Sequence, residues 1–278
     1  MGWARGLYST ALFALSPLIW RRIRREHALT ASRRMLRELR LGRIPRTPPG
    51  EPMLWLHCAS VGEVLAARPL IEALLERYPE HRLTLTTMTA TGAERARALA
   101  ASRDDERLVH RFIPLDFPGA AARFVTRLRP ALALFFETEL WPNLLAACRR
   151  QGVPVTVLNG RLSPRAFRGY RRLRPLMREA LACVDWLAAK SRADAERFRA
   201  LGMAEARTTV VGSLKFDIAL DDKAFEVSER LRTRFGERPM WVAGSTHEGE
   251  ETALLAAHAR LREIHANALL VLVPRHPQ

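Results

Sequence analysis

The residue with the clearest chemical potential is Glu63, which follows a short apolar run almost directly. The run Met53–His57 is typical of a buried strand, and the pattern of Val64–Tyr78 predicts an amphipathic helix, with Gly62 at the turn between them. Such a unit places Glu63 at the carboxyl edge of an open α/β sheet, where doubly wound folds bind ligands. A carboxylate there can act as a general base. On this motif alone a simpler interpretation is favoured, in which Glu63 only complements the positive end of its helix.

Polar clusters also follow most of the other predicted strands. They are Thr86–Gly92, Pro114–Asp116, Glu137–Asn143, Asn159–Ser163, Gly212–Asp217 and Gly244–Glu251. Each cluster alone is weak, because polar loops are expected wherever strands end. Together they predict a cleft along one edge of a sheet.

From residue 53 onward, apolar runs alternate with segments of helical pattern. The predicted strands are Met53–His57, Leu83–Thr87, Leu108–Ile113, Ala131–Phe136, Val153–Leu158, Trp186–Ala189, Thr209–Val211, Trp241–Ala243 and Leu269–Val273. The predicted helices are Val64–Tyr78, Gly92–Ala101, Ala120–Leu128, Asn143–Gln151, Ala193–Leu201 and Glu248–His265. This alternation is typical of right-handed βαβ units, so we predict an α/β fold with a parallel sheet.

A polar stretch between residues 212 and 239 predicts a boundary between two domains. We expect a Rossmann-like domain over 50–215, a linker over 216–238, and the start of a second Rossmann-like domain over 239–278. That last segment has two predicted strands, which cannot cover both faces of a parallel unit. We therefore expect the second domain to be incomplete in this chain.

Positive charge is concentrated in two segments. The chain of 278 residues has 45 Lys+Arg against 29 Asp+Glu, a formal charge of +16. The excess lies in residues 1–50 and in the arginine-rich segment 161–178, which contains no acid. Arginine suits the recognition of phosphate, although 161–178 is also compatible with an ordinary solvated basic helix. Only Phe167 and Tyr170 could stack among these arginines, so a nucleic-acid partner is not expected.

The N-terminal pattern predicts a membrane anchor. The apolar run Leu7–Trp20 precedes a cluster of arginines, whereas a signal peptide carries its charge before the apolar run. As a helix the run would rise roughly 20 Å, short of the ~30 Å hydrocarbon core. We expect residues 1–45 to form an anchor, spanning or monotopic, and a basic juxtamembrane helix, with the arginines and everything after them in the cytoplasm. The alternative is a solvated amphipathic helix, but the flanking Trp3 and Trp20 favour the membrane.

No pattern in the chain suggests a metal site or a disulfide framework. Cys58, Cys148 and Cys183 are far apart and lack metal-ligand spacing, which indicates a reducing compartment. The sequence also lacks His-Glu-x-x-His and Asp-x-Asp motifs. We expect no cofactor and no metal.

The order of the motifs resembles a known family. The motifs are Ala-Ser-Val-Gly-Glu at 59–63, Thr-x-Thr-Gly at 89–92, Pro-x-Asp at 114–116, Glu-Thr-Glu-Leu-Trp-Pro-Asn at 137–143, Asn-x-Arg-Leu-Ser at 159–163, Gly-x-Leu-Lys-Phe-Asp at 212–217, Ser-Thr-His-x-Gly-Glu-Glu at 245–251 and Pro-Arg-His-Pro at 274–277. Together they resemble the 3-deoxy-D-manno-octulosonic acid (Kdo) transferases, from about Leu7 to Gln278. Because that family continues past the last motif, the resemblance implies a C-terminally truncated chain.

The resemblance implies a GT-B architecture and an inverting transfer of Kdo from CMP-Kdo to the lipid A precursor (lipid IVA) in lipopolysaccharide biosynthesis. By motif position, Glu63 is implied as the general base. The implied acceptor-binding residues are Ser60, Gly62, Glu137, Glu139, Asn159 and Arg161. The implied donor-binding residues are Lys215, Ser245, Thr246, Glu250, Arg275 and His276. We also expect Glu137 or Glu139 to raise the pKa of Glu63, and the segment 161–178 to hold the acceptor phosphates or anionic headgroups.

A function of a different class stays open. The chain could be a non-catalytic, membrane-docked fragment or assembly subunit that binds anionic lipid. A transferase should lose its function on Glu63→Ala, whereas a docking subunit should lose it only when the arginine clusters are neutralised.

Overall fold

Seven parallel strands form the central sheet of the first part of the chain. They are β1 (Met53–His57), β2 (Arg82–Thr87), β3 (Leu108–Phe112), β4 (Leu132–Phe136), β5 (Val155–Gly160), β6 (Trp186–Ala189) and β7 (Thr208–Val210). The computed structural model describes residues 2–26, 39–103, 106–214 and 222–275, and the chain divides into a first unit over 1–218 and a second over 219–278. The predicted α/β class with a parallel sheet is confirmed.

The helices of the first unit follow the predicted alternation, but the two helices between β5 and β6 were not among those predicted, and one predicted helix is divided in two. They are α1 (Trp3–Ala14), α2 (Ser16–Glu26), α3 (Val61–Ala66), α4 (Arg68–Arg77), α5 (Ala90–Ala101), α6 (Pro118–Leu128), α7 (Pro142–Arg150), α8 (Pro164–Arg172), α9 (Arg174–Leu181) and α10 (Arg192–Leu201). The single helix predicted over Val64–Tyr78 is wrong, because α3 ends before a second helix begins. Pro69 lies in the first turn of α4, where its missing N–H is tolerated but the preceding helix cannot continue unbroken.

The strand order creates a crevice at one edge of the sheet. The order is β3-β2-β1-β4-β5-β6-β7, so the chain builds outward from β1 in one direction and then returns to place β4 on its other side. Loops that leave the carboxyl ends of β1 and β4 therefore diverge from one point, which is where such sheets bind ligands. Glu63 follows β1 and Glu139 follows β4.

Helices pack on both faces of this sheet. Strand β1 is buried throughout, and its side chains alternate between two hydrophobic clusters as the period of a strand requires. Trp55 packs with Phe124 and Phe135 on one face, while Leu56 packs with Phe136 on the other. The central strands are therefore covered by apolar side chains on both faces, and they fix where the loops at their ends begin.

The N-terminal residues form two short helices rather than one long one. Helix α1 ends at Ala14, with Leu15 as its C-cap, and Pro17 lies near the start of α2. Within the described ranges, no helix is both long enough and apolar enough to cross a membrane. Trp3, Leu7 and Phe13 are exposed on α1, whereas Ser9 is buried.

The second unit consists of two strands and two helices among its described residues. They are α11 (Asp222–Phe235), β8 (Met240–Thr246), α12 (Glu250–Ile264) and β9 (Leu269–Pro274). The two strands pair in parallel, as the sequence predicted. Apolar side chains of this unit, such as Val242 and Leu255, remain exposed, because two strands offer too little surface to bury them.

Candidate active site

Glu63 folds back over the start of its helix. Its Oε2 accepts the backbone N–H of Ala59 at 2.7 Å, and its Oε1 accepts the hydroxyl of Ser60 at 3.0 Å. Ser60 is the N-cap of α3 and Glu63 is the third residue of that helix, so the arrangement is a variant of the capping box. Each carboxylate oxygen has a second lone pair, so these bonds leave Glu63 able to accept a proton.

The surroundings of Glu63 raise its pKa. Burial raises the pKa above the ordinary glutamate value, and the negative charge of Glu139 adds to this effect. The hydrogen bonds from Ala59 and Ser60, together with the electrostatic influence of His57, act in the opposite direction. Of the two glutamates expected to act on Glu63, it is therefore Glu139 that does so. A raised pKa makes a carboxylate a better general base near neutral pH.

Glu139 behaves oppositely although it lies in the same cluster. Burial alone would raise the pKa of Glu139, but its electrostatic interaction with the nearby His57 ring and the hydrogen bond from Trp141 lower the pKa below the ordinary value. The indole Nε1 of Trp141 donates to Oε2 at 2.8 Å. Two neighbouring carboxylates whose pKa values are driven apart can divide their roles, since one takes up a proton while the other stays charged.

His57 belongs to this cluster, although the sequence motifs did not single it out. It ends β1, is fully buried, and its Nε2 lies 3.5 Å from Oε2 of Glu139. Its Nδ1 lies 3.0 Å from the hydroxyl oxygen and 3.1 Å from the carbonyl oxygen of Thr86. The available signal was a titratable residue at the last position of a strand whose other side chains are all apolar.

A residue with a left-handed backbone lies directly after β4, and another is the second-last residue of β5. Glu137 has φ of 60° and Asn159 has φ of 52°, a conformation that costs energy for residues other than glycine and tends to occur at functional sites. Asn159 is buried, and neither polar atom of its side chain has a partner within the described residues. Such an amide is available to a ligand. Arg161 is exposed, and its carbonyl oxygen accepts the hydroxyl of Thr138.

Gly62 does not form the turn that the sequence suggested. It lies inside the first turn of α3, does not need a left-handed backbone, and a Cβ there would meet nothing within 4 Å. The turn is made instead by Ala59 and Ser60. The missing side chain at 62 leaves the start of α3 open beside Glu63.

Asp116 forms hydrogen bonds that connect the loop after β3 to the start of α7 beside the site. Its carboxylate accepts the backbone N–H groups of Asn143 at 3.0 Å and Leu144 at 2.8 Å, which begin α7. Burial raises the pKa of Asp116 to about 7, although these bonds and one from Tyr8 oppose the shift. The amide of Asn143 donates to the carbonyl of Asp116 at 2.7 Å and to the hydroxyl of Ser9 at 3.0 Å. Helix α1 is therefore hydrogen-bonded to the same edge of the sheet.

An apolar cavity of about 370 Å³ adjoins the site. Its lining includes Leu12 and Ile23 from the N-terminal helices, and Phe117 and Trp141 from the sheet edge. Trp141 connects the cavity to the carboxylates, because its indole N–H is bonded to Glu139. A larger cavity of about 570 Å³ surrounds Val153, Asp185 and Gly202 and contains none of these groups.

In the second unit, the ends of β8 and β9 come together. The N–H of Arg275 donates to the carbonyl of Thr246 at 3.0 Å, and Thr246 is buried with no described partner for its hydroxyl. Ser245 has φ of 60°, and Glu250 accepts the N–H of His247 at 2.8 Å at the start of α12. Two implied donor residues, Lys215 and His276, lie outside the described residues. Among those described, no group of three His, Cys, Asp or Glu side chains could hold a metal ion.

Comparison with known proteins gives one family. The family model described as 3-Deoxy-D-manno-octulosonic-acid transferase (kdotransferase) matches residues 36–218. A 3-deoxy-D-manno-octulosonic acid transferase of Bordetella pertussis is 40% identical over 281 residues, which cover 99% of this chain and 64% of that protein. The corresponding protein of Haemophilus influenzae is 35% identical over 226 residues, covering 81% and 52%. The chain thus spans between half and two thirds of the length of these relatives.

Solved structures share the fold at low sequence identity. A UDP-GlcNAc 2-epimerase from Neisseria meningitidis has a TM-score of 0.56 at 13% identity, covering 82% of this chain and 66% of that one. The UDP-GlcNAc 2-epimerase from Methanocaldococcus jannaschii has a TM-score of 0.53 at 12% identity, covering 81% and 66%. At such identity the likeness concerns the fold alone, which is GT-B-like.

Proposed function

The chain belongs to the Kdo transferase family, and from this premise we propose that it transfers Kdo from CMP-Kdo to the lipid A precursor (lipid IVA), with Glu63 as general base. The observation that carries the proposal is the pair of carboxylates at the point where the strand order reverses. Burial and Glu139 raise the pKa of Glu63, while His57 and Trp141 keep Glu139 ionised.

The chemistry follows from this division of roles. Glu63 takes the proton of an acceptor hydroxyl, whose oxygen attacks the anomeric carbon of Kdo with inversion. The bond from that carbon to the phosphate oxygen breaks, and CMP leaves with the electron pair. A positioned base contributes roughly 10²–10⁴-fold to such a step. Ser60 holds the carboxylate in place, and Gly62 leaves room for the acceptor.

The acceptor is proposed to lie along the edge of the first unit. Glu137, Glu139, Asn159 and Arg161 would orient its sugar hydroxyls, and the unpaired amide of the buried Asn159 supports this role. The apolar cavity that shares Trp141 with the site has the lining that an acyl chain requires. A lipid-linked sugar could therefore present its hydroxyl to Glu63 while one of its acyl chains lies in this cavity, away from water.

Helix α8 supplies charge beside the same site. Tyr170 of this helix is close enough to Glu139 that burial and the glutamate charge together raise its pKa. The other face of α8 carries exposed arginines, namely Arg165, Arg168, Arg171 and Arg172. We propose that they bind the phosphates of the acceptor and anionic headgroups of the membrane.

The N-terminal helices are proposed to lie in the membrane interface. Exposed apolar side chains of α1 and α2, such as Trp3, Leu7 and Leu18, precede Arg21 and Arg22 along the chain. Apolar anchors next to cationic side chains are typical of interfacial helices. This would place the enzyme on the cytoplasmic face of the inner membrane.

The residues proposed to bind the donor are Lys215, near the end of the first unit, and five residues of the second unit. By motif position, Lys215, Ser245, Thr246, Glu250, Arg275 and His276 would contact CMP-Kdo. The buried, unpaired hydroxyl of Thr246 next to Arg275 supports an anion site there. We propose that no metal takes part, so activity is expected to persist in EDTA.

The test is the transfer of labelled Kdo from CMP-Kdo, generated in place, to lipid IVA by this chain. We expect Glu63→Gln to lower the rate at least 100-fold, while Glu94→Gln, which changes an exposed glutamate of α5, leaves it unchanged. Transfer by Glu63→Gln within a few-fold of wild type would refute the assignment. A wild-type chain that binds anionic lipid but transfers no Kdo would favour the alternative, a non-catalytic lipid-docking protein.

A further inference from the structure

His57 is a buried polar residue with few partners. Its ring is enclosed at the end of β1, with Phe135 edge-on at a centroid distance of 6.0 Å. On one side it meets only Thr86, and on the other its Nε2 faces Glu139 at 3.5 Å. Apart from Glu139, no described residue lies within hydrogen-bonding distance of Nε2.

The neighbours of Thr86 indicate where the ring proton lies. The indole Nε1 of Trp55 donates to the Thr86 hydroxyl oxygen at 2.9 Å, so that hydroxyl must direct its own proton elsewhere. Its two possible acceptors are the carbonyl of Leu56 at 3.4 Å and Nδ1 of His57 at 3.0 Å. Nδ1 therefore faces a hydroxyl that can donate to it and a carbonyl that can only accept from it. Nε2 faces only the carboxylate oxygen of Glu139 among the described residues, and because that oxygen can only accept, this contact places a ring proton on Nε2.

We propose that His57 is a positioning residue of this site, which donates its Nε2–H to Glu139 and thereby holds that carboxylate ionised and aligned beside Glu63. The chain Trp55, Thr86, His57 and Glu139 would then run from the hydrophobic core to the catalytic edge of the sheet. Trp55 donates to Thr86, Thr86 contacts Nδ1 of His57, and Nε2 donates to Glu139, so the orientation of Glu139 is set by the packing of the core. The Thr86 carbonyl can additionally accept a proton on Nδ1 when the ring is cationic.

The proposal rests on the proposed function only in the role given to Glu63. The ionisable groups that interact with the two glutamates are His57, the buried thiol of Cys58 and the hydroxyl of Tyr170. Of these, His57 alone lowers the pKa of both Glu63 and Glu139. Its loss should therefore shift the pH at which the base becomes ionised.

The deciding experiment is ¹⁵N NMR of the chain labelled in histidine, with His57→Gln used to assign the ring. We expect the proton on Nε2, and we expect Glu139→Gln to move the Nε2 resonance while the matched Glu137→Gln does not. The proposal would be overturned if the ring carried its only proton on Nδ1, or if the Nε2 resonance did not shift in Glu139→Gln. This readout needs no transferase activity, so it separates failure of the inference from failure of the proposed function.

A kinetic cycle gives the second measurement. His57→Phe should lower kcat/KM about 10- to 100-fold, the loss expected for one hydrogen bond to a charged group, and should move the acidic limb of its pH profile upward. His57→Gln, which retains an N–H donor, should lose less. In a chain that already carries Glu139→Gln, the further change His57→Phe should lower kcat/KM only slightly. A full further loss in that background would mean that His57 serves packing alone and would overturn the proposal.

Discussion

Replacing Asp116 by asparagine should loosen the first unit in a way that depends on pH. The carboxylate is 4% exposed and accepts two backbone N–H groups at the start of α7. An asparagine can accept at only one position, and its amide must face the second N–H. At pH 5 the buried carboxyl is mostly protonated, but its hydroxyl oxygen still has a lone pair for the second N–H, whereas the NH2 group of asparagine has none. A hydrogen bond to a buried acceptor and an N-terminal cap are each worth about 1–2 kcal/mol, so we expect the free energy of unfolding to fall by about 2–4 kcal/mol at pH 5.

The pH dependence follows from the pKa of Asp116, which burial raises from 3.8 to about 7. Between these values the native state holds a proton that the unfolded state has released. The contribution of this group to the free energy of unfolding therefore decreases as the pH rises, by about 1.4 kcal/mol per pH unit. Asparagine does not titrate and so contributes no such pH dependence. The difference in free energy of unfolding between wild type and Asp116→Asn should therefore narrow from pH 5 to pH 7.

Pulsed alkylation of thiols in urea is a suitable assay, because Cys58, Cys148 and Cys183 are all buried in the first unit and report on that unit alone. The control is Asp185→Asn, since Asp185 also accepts a backbone N–H at 2.8 Å but is exposed. It should cost less than about 1 kcal/mol. The reasoning would be refuted if the difference in free energy of unfolding between wild type and Asp116→Asn stayed constant or widened from pH 5 to pH 7.

Three further changes test other features. Gly42→Ala should destabilise the first unit by at least about 1 kcal/mol more than Gly50→Ala. Both glycines have a left-handed backbone, but only at Gly42 would a Cβ meet a backbone oxygen, 2.3 Å away. Equal losses in the free energy of unfolding, measured in urea, would contradict this. Burial and neighbouring arginines lower the pKa of His110 to about 3, so stability should fall as the pH drops below about 6.5, and His110→Gln should reduce that fall in acid titrations. Changing the four exposed arginines of α8 to glutamine should weaken sedimentation with anionic vesicles roughly 100-fold or more at low salt, whereas unchanged binding would exclude α8 from the membrane contact.

Much of the first unit could be predicted from the sequence because several of its strands are buried along most of their length. Met53–His57 and Trp186–Ala189 were predicted at their observed bounds, since a parallel strand covered on both faces is a continuous apolar run. Helix ends were less accurate. The break between α3 and α4 depends on how Pro69 is accommodated, and an amphipathic pattern alone does not reveal it.

The candidate site was predicted only in part. The neighbourhood of Glu63 and Glu139 follows from strand ends at the reversal of strand order, which sequence alternation can suggest. The role of Asp116 could not be deduced, because a Pro-x-Asp motif gives no sign that its carboxylate reaches α7, about 27 residues further on. His57 was missed for a similar reason, since its partners Thr86 and Glu139 come from two other strands.

The bonds between α1 and the sheet edge have a thermodynamic consequence. Ser9 and Tyr8 share one network with Asp116 and Asn143, and α7 begins directly after the loop that carries Glu139. Any change in the docked position of α1 would therefore be coupled to a change in the arrangement of that loop. A membrane or ligand that binds the exposed face of α1 only when this helix is docked would therefore also favour the loop arrangement that goes with docking. By thermodynamic linkage, a second ligand that stabilises this loop arrangement would increase the affinity of the first by the same factor.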